Sequence, residues 1–348
     1  MIRIYHFSLW VNCAILTTEK LTIEKERGGR RMYDICIIGA GPAGISSAIY
    51  AVSRGLKTIV LEQKAVGGLL GGVSTVTHYA GIIEEETGET FAARLKAQAE
   101  GAGVEIVMEQ VKKAKLTGQV KIIETDQGSY EAKAVIIAAG TRPRRLGIEG
   151  EEEFQGRGTG MNPAKDGARY VGKDIFVVGG ADGAVKEALY LAKIAKKVTI
   201  IHFEDTLGAI PEFTNKVRQT GNMEVRLHSR LIKINGKEEA DQIVIRDEHT
   251  GALETIQAPG CAIFIYAGST PNTEDYPELE TKDGYIVTNE KQETNLAGVY
   301  AAGDICVKQV RQAATAVADG AVAAIHAAAY IKAQRLGKNK VEMKWGKK

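Results

Sequence analysis

Two glycine-rich turns, each preceded by a short apolar run, lie 140 positions apart: Asp34–Gly44 reads DICIIGAGPAG and Asp174–Ala184 reads DIFVVGGADGA. A strand that runs through a glycine turn into a helix presents unpaired backbone N–H groups, so each turn is a candidate phosphate cradle. The first has the full GxGxxG pattern in Gly39, Gly41 and Gly44, and Ile45, Ala48, Ile49 and Val52 follow at helical spacing. Gly39 permits the tight turn, Gly41 lets the backbone approach a pyrophosphate, and Gly44 lets helix and strand pack closely. The next strand, Thr58–Leu61, ends at Glu62, 23 positions after Gly39, where a carboxylate can accept hydrogen bonds from an adenosine ribose.

The second turn follows Ile175–Val178 and opens a helix with Val185, Ala188, Leu189 and Ala192 on one face, but its second motif position is Ala181. A methyl group there faces the pyrophosphate. The following strand, Val198–Ile201, ends in His202, Phe203, Glu204 and Asp205, which supply acid and no arginine. Two readings stay open for this turn: an altered dinucleotide site, or a nucleotide-type fold that no longer binds its dinucleotide well.

With 348 residues the chain can form two domains with sizeable cores. Lys and Arg total 45 against 43 acids, a balance that gives no reason to propose nucleic acid or a membrane surface as partner. Cys13, Cys36, Cys261 and Cys306 are widely spaced and form no CxxC pair. With the histidines they show no metal-ligand spacing, and no metal is expected; a reducing, cytoplasmic setting is. Cys36 and Cys261 fall in apolar strand-like runs and read as core residues, and Cys306 is the one thiol to watch for reactivity. Residues 1–31 read as an extension outside the core, with no stretch in them long enough to span a bilayer and Met32 as the expected native start. Residues 337–348 form a basic tail.

The order of elements predicts an α/β chain of two Rossmann-like domains of three-layer ββα type, the second inserted into the first. Residues 32–143 and 271–336 make one domain, 144–270 the other. The segment Ala297–Ile305, AGVYAAGDI, returns the chain to the first domain, and an alanine-rich helix follows over about Gln312–Ile331. Such an insertion is the architecture of two-dinucleotide flavoproteins, in which a nicotinamide delivers hydride to FAD.

The motifs then become specific. Gly39–Gly44, Gly67–Gly81, Ala138–Pro143, Gly156–Gly167, Gly179–Ala188, Gly268–Asn272 and Gly303–Asp304 followed by Arg311, Gln312 and Ala313 occur in the order of one family. Over almost all of Met32–Ala333 the chain resembles the thioredoxin reductase family of flavoproteins. The resemblance implies bound FAD, a cytosolic homodimer and a nucleotide domain that rotates on a two-strand hinge. It assigns Gly39, Gly41, Pro42, Ala43, Gly44 and Glu62 to the FAD adenosine and pyrophosphate, and Gly303 and Asp304 to the other side. Arg311, Gln312 and Ala313 fall along the isoalloxazine, with Gly68, His78 and Gly140 in the remaining FAD segments. Gly179, Gly180, Ala181, Asp182, Gly183, Glu204 and Gly268 fall at the nicotinamide dinucleotide. Without the matched motif, Arg311 reads as a surface cation.

The chain departs from the family where the family does its chemistry. The redox CxxC positions hold Asn162, Pro163, Ala164 and Lys165, followed by the retained Asp166 and Gly167. Thiol–disulfide exchange needs a thiolate attacking a disulfide, so no electrons pass through that pair. Lys165 is a candidate to stabilise charge on a reduced flavin or an acceptor, with Asp166 as its partner or a proton donor; a purely loop-fastening role is the alternative. Leu69, His78 and Ala80 replace a usual glutamine, asparagine and proline. Where the family's NADPH enzymes clamp a 2′-phosphate with arginines, this chain has His202, Phe203, Glu204 and, further on, Gly208. A carboxylate at Glu204 repels that phosphate and suits a bare ribose, which predicts NADH rather than NADPH. The acceptor stays open between a ferredoxin- or flavodoxin-type carrier and a small molecule. Reduction by such a carrier instead of NADH, and a flavin-binding sensor with little turnover, are the competing readings.

Overall fold

In the computed structural model, which describes residues 31–82 and 86–336, the strand Arg31–Ile38 runs through the middle of a seven-stranded sheet. It pairs in parallel with Thr58–Glu62 on one side and Ser129–Ile137 on the other, and Glu105–Met108 extends the sheet beyond Thr58–Glu62. Ser129–Ile137 also takes the antiparallel pair Val111–Lys115 and Lys121–Thr125 along its first half, and Val299–Ala301, from the far end of the chain, along its second. A strand covered on both faces has to be apolar throughout, and Ile35, Cys36 and Ile37 are wholly buried. Ile35 and Ile37 face helices Pro42–Val52 and Ala313–Arg335 through Ala48, Ala323 and Ala327. Cys36 and Ile38 face Leu116, Ile123, Tyr276 and Cys306.

The inserted domain repeats the plan with four parallel strands in the order Met223–Arg226, Lys197–Ile201, Asp174–Val178, Ala262–Ile265. Helices Asp182–Ala192 and Pro211–Gln219 cover one face, and the antiparallel sheet Ser229–Gly236, Ala240–Asp247, Leu253–Gln257 covers the other through Leu231, Ile234 and Ile243. Both domains therefore have the expected three-layer ββα build. The two chain crossings between them, Thr141–Pro143 and Ser269–Pro271, pair with each other as an antiparallel ribbon.

Helix Gly88–Gly101 follows Thr87, whose Oγ1 accepts the Thr90 N–H at 3.1 Å and caps its first turn. The last helix runs on to Arg335, four residues past the expected Ile331. By length and composition alone this helix is apolar enough to cross a membrane. Its buried face packs on Pro42–Val52, where Ser46 and Ser47 donate to the carbonyls of Val317 and Gly320 at 2.7 and 3.0 Å. The basic tail, Cys13 and all of the N-terminal extension except Arg31 lie outside the described residues.

Candidate active site

The first glycine turn is built by close approach. Gly39 has φ +102°, in the left-handed region that favours glycine, and a Cβ on Gly44 would lie 1.8 Å from the Gly39 carbonyl oxygen. Gly41 is different: its backbone is extended, and a Cβ there would meet nothing within 4 Å. Helix Pro42–Val52 starts at Gly41 with no side-chain cap and no acid in its first turn, so its N-terminal dipole is uncompensated. Buried Glu62 accepts the N–H groups of Ala40 and Lys64 at 2.8 Å each, which fixes its carboxylate beside the turn. Gly68 comes against Gly41, and Gly140 accepts the Asn272 N–H at 3.1 Å.

From the far end of the chain, Gly303 closes on Ala43, so a Cβ at Gly303 would lie 2.9 Å from that of Ala43. Asp304 follows it, with a buried Oδ1 that has no hydrogen-bond partner. Burial pushes the Asp304 carboxyl above the usual range, Lys308 and Arg311 oppose the shift, and Asp319 adds to it. Arg311 stacks its guanidinium 4.0 Å over Tyr285 and donates to the carbonyls of Asp304 and Cys306 at 3.4 and 3.3 Å. It is half-buried and held by these contacts rather than free at the surface. Gln312 is the N-cap of the last helix, in a capping box with Thr315, and Ala313 is its first residue. The orphaned Asp304 oxygen, the uncapped helix start and the open Cβ direction at Gly41 fit a dinucleotide such as FAD.

The second turn is shaped by His202. A Cβ on Gly180 would lie 2.6 Å from the His202 ring, so this glycine makes room for a side chain of the next strand. His202 is buried, with Nε2 3.1 Å from Glu204 Oε2 and an Nδ1 that has no partner. Gly179 has φ +131°, whereas Ala181 is extended at φ −81° and caps the helix without strain. Asp182 Oδ1 accepts the Ile210 N–H at 2.9 Å, and a Cβ on Gly183 would meet nothing within 4 Å. Gly268 accepts the Arg144 N–H at 3.0 Å. One arginine does reach this end of the domain: Arg230 lies 4.6 Å over the exposed Phe203 ring, with Nε on Glu248 at 3.0 Å.

Asn162–Asp166 is a small fastening. Asn162 Oδ1 accepts the Lys165 N–H at 3.1 Å, Asp166 Oδ2 accepts the Asn162 N–H at 2.8 Å, and Asn162 Nδ2 donates to Gly72 O of the other domain at 2.7 Å. Lys165 is exposed and forms no ion pair with Asp166, contrary to the expected partnership. His78 leans across the domain boundary, with Nε2 3.1 Å from Glu212 Oε2 and its ring on Phe213. Cys306 is a buried core residue, and burial pushes its thiol up to about 12, which disfavours the thiolate.

Two groups were not legible from spacing. Lys186 and Glu187, on the second glycine-loop helix, reach the other domain at Thr75 O and Ser74 N. Asp205, His228 and His249, from three separate segments, place their donor atoms within 4.8 Å of one another, a grouping without cysteine that the cysteine and histidine spacing did not show.

Two Rossmann-type domains, one inserted in the other and each with its glycine turn at a helix start, define a two-dinucleotide oxidoreductase. The profile of the "Pyridine nucleotide-disulphide oxidoreductase" family matches residues 33–320. A "Thioredoxin reductase" of Peptoclostridium acidaminophilum is 38% identical over 87% of this chain and 98% of its own. A "34.2 kDa protein in rubredoxin operon" of Clostridium pasteurianum is 40% identical over 86% and 98%. The solved Lactococcus lactis thioredoxin reductase, described as in its FR conformation, aligns with TM-score 0.83 at 34% identity over 86% of this chain and 99% of that one. The chain belongs to the pyridine nucleotide-disulphide oxidoreductase family, as an FAD-dependent NAD(P)H oxidoreductase of thioredoxin reductase type.

Proposed function

We propose that this protein oxidises NADH and passes electrons to its acceptor directly, without a dithiol relay. FAD, when bound, supplies the two-electron carrier between nicotinamide and acceptor. The observation that carries the reading is Asn162–Asp166: at the family's dithiol positions there is no sulfur, and the side chains of Asn162 and Asp166 are spent on a helix cap and a bond to Gly72.

Gly39, Gly41, Pro42, Ala43, Gly44 and Glu62 would hold the adenosine and pyrophosphate of FAD, with Gly68 and Gly140 alongside. Gly303 and Asp304 would take the other side, and Arg311, Gln312 and Ala313 the ring, where the positive end of the last helix favours an anionic reduced flavin. His78 is half-exposed against Glu212, which argues for a boundary role over direct flavin tuning. At the second site Gly179–Gly183 and Gly268 would receive NADH, and Glu204 would meet its ribose. Arg230 is engaged by Glu248 and Phe203, which supports NADH over NADPH. Lys165, exposed and without an ion pair among the described residues, is placed to meet the acceptor, a ferredoxin- or flavodoxin-type carrier or a small molecule. The active form is a homodimer.

The test is anaerobic: the purified yellow protein is mixed with NADH, NADPH or reduced ferredoxin and flavin bleaching is followed. Faster bleaching by NADH supports the proposal. Bleaching by ferredoxin alone assigns the electron source to a carrier, and bleaching by none removes turnover.

A further inference from the structure

Asp205 follows the strand Lys197–Ile201, His228 joins Met223–Arg226 to Ser229–Gly236, and His249 sits in the turn between Ala240–Asp247 and Leu253–Gln257. Three segments far apart in sequence thus bring one carboxylate and two imidazoles together at one edge of the inserted domain. Asp205 Oδ1 is 3.2 Å from His228 Nδ1, and the two imidazole centroids are 4.0 Å apart.

The backbone around the cluster is built to hold it. His228 has φ +49°, a left-handed conformation uncommon for a residue with a Cβ. It is fixed on both sides: its N–H donates to Glu204 O at 3.3 Å, and its carbonyl accepts the Glu248 N–H at 2.7 Å. Asp247 Oδ1 accepts the N–H groups of His249 and Thr250 at 3.0 and 2.7 Å, which pins the turn that presents His249. The neighbouring charges are already paired, Glu248 with Arg230 and Arg246, and Glu204 with His202. Among the described residues no lysine or arginine forms an ion pair with the Asp205 carboxylate, whose paired side chain is His228.

We propose that Asp205, His228 and His249 form a binding site for a borderline divalent transition-metal ion of the Zn²⁺, Co²⁺ or Ni²⁺ class. Two neutral imidazoles and one carboxylate are the donor set of such ions, and hard cations such as Mg²⁺ or Ca²⁺ prefer all-oxygen shells. Ligand distances near 2 Å require the donors to close by about 1 Å, through rotation of the exposed Asp205 and His249 side chains toward the half-buried His228. Water completes the coordination. A bound ion would tie together three loops, one of them the loop that carries Glu204, at the point where Asp205, His228 and His249 already touch.

The test is equilibrium dialysis of chelator-treated, FAD-loaded protein against Zn²⁺ in excess Mg²⁺, with Co²⁺ absorption as a second probe. The expected result is one Zn²⁺ per chain, a rise in melting temperature with metal, and binding weakened about tenfold or more in Asp205→Asn, His249→Ala and His228→Asn. Asparagine at 228 tolerates the left-handed backbone, and unchanged metal-free melting and FAD content show that each variant is folded. No stoichiometric Zn²⁺ binding, or binding equal in wild type and His249→Ala, would overturn the proposal.

Discussion

Glu187 accepts the backbone N–H of Ser74 at 3.0 Å across the boundary between the two domains, and it does so almost wholly buried. Beside it, Lys186 donates to Thr75 O at 2.6 Å and lies 3.8 Å from Glu187. Neither Glu187 Oε2 nor Ser74 Oγ has a hydrogen-bond partner. Burial holds the Glu187 carboxyl above its usual range and the Lys186 ammonium below its own. With Asn162 on Gly72 and His78 on Glu212, these contacts make the Gly72–His78 stretch the shared surface of the two domains.

The raised Glu187 carboxyl has a definite sign. Its contribution to stability is present below the ordinary carboxylate value of 4.5 and is lost as pH rises through the raised folded value. Glu187→Gln keeps an acceptor for Ser74 N–H and removes the charge. Melting temperature should therefore fall less with rising pH in this variant than in wild type over mildly acid to neutral pH. Parallel curves would show that Glu187 does not titrate in that window.

Asp34 has the opposite sign. Burial opposes its ionisation, but Lys133 at 2.8 Å, Arg335 at 2.7 Å and the Lys57 N–H hold its carboxyl below the usual range. Its stabilisation is present above the ordinary value of 3.8 and lost as pH falls through the lowered one. Asp34→Asn should cost about 1–3 kcal/mol near neutrality in denaturant titration, because charge-assisted bonds between the first strand and the last helix are weakened.

Gly41 and Gly44 separate cofactor binding from folding. A Cβ on Gly44 meets the Gly39 carbonyl, so Gly44→Ala should destabilise the domain. A Cβ on Gly41 meets no protein atom, so Gly41→Ala should fold normally and weaken FAD binding about tenfold or more. Apoprotein melting and FAD titration by fluorescence read the two effects apart.

Glu204→Arg should raise the NADPH-to-NADH ratio of kcat/KM for flavin reduction about tenfold or more, by replacing repulsion of a 2′-phosphate with a bidentate partner. An unchanged ratio would move coenzyme choice away from Glu204.

Lys165→Ala should leave melting temperature and FAD content unchanged, because the side chain is exposed and has no ion pair among the described residues, while slowing flavin reoxidation by the acceptor about threefold to tenfold. Reoxidation at the wild-type rate would leave Lys165 without a part in electron delivery.

The central strand, both glycine turns and the burial of Cys36 and Cys261 were legible in the sequence because each is a local pattern: an apolar run, a turn, a helical face. Glu62 was legible by its distance from Gly39, though its oxygens hold the Ala40 and Lys64 N–H groups. Glu187 and Ser74 were not, since the 113 positions between them are closed only by domain packing. The same holds for Asp205, His228 and His249, which no spacing rule joins, and for Arg230, whose approach to Phe203 depends on how the antiparallel sheet covers the parallel one. Lys165 shows the converse limit. Its position in a motif suggested a pair with Asp166, but a four-residue helix turns that carboxylate to the Asn162 N–H.

The direct test of relay-free transfer is an anaerobic titration of the FAD-loaded protein with NADH, counting electrons taken up per flavin. A flavin accepts two electrons, and a redox-active disulfide would accept two more on its reduction to a dithiol. The account predicts complete bleaching at about one NADH per FAD with no new alkylatable thiols. Uptake of about two NADH per FAD, with a thiol pair appearing, would contradict it, as would a flavin that stays oxidised in excess NADH.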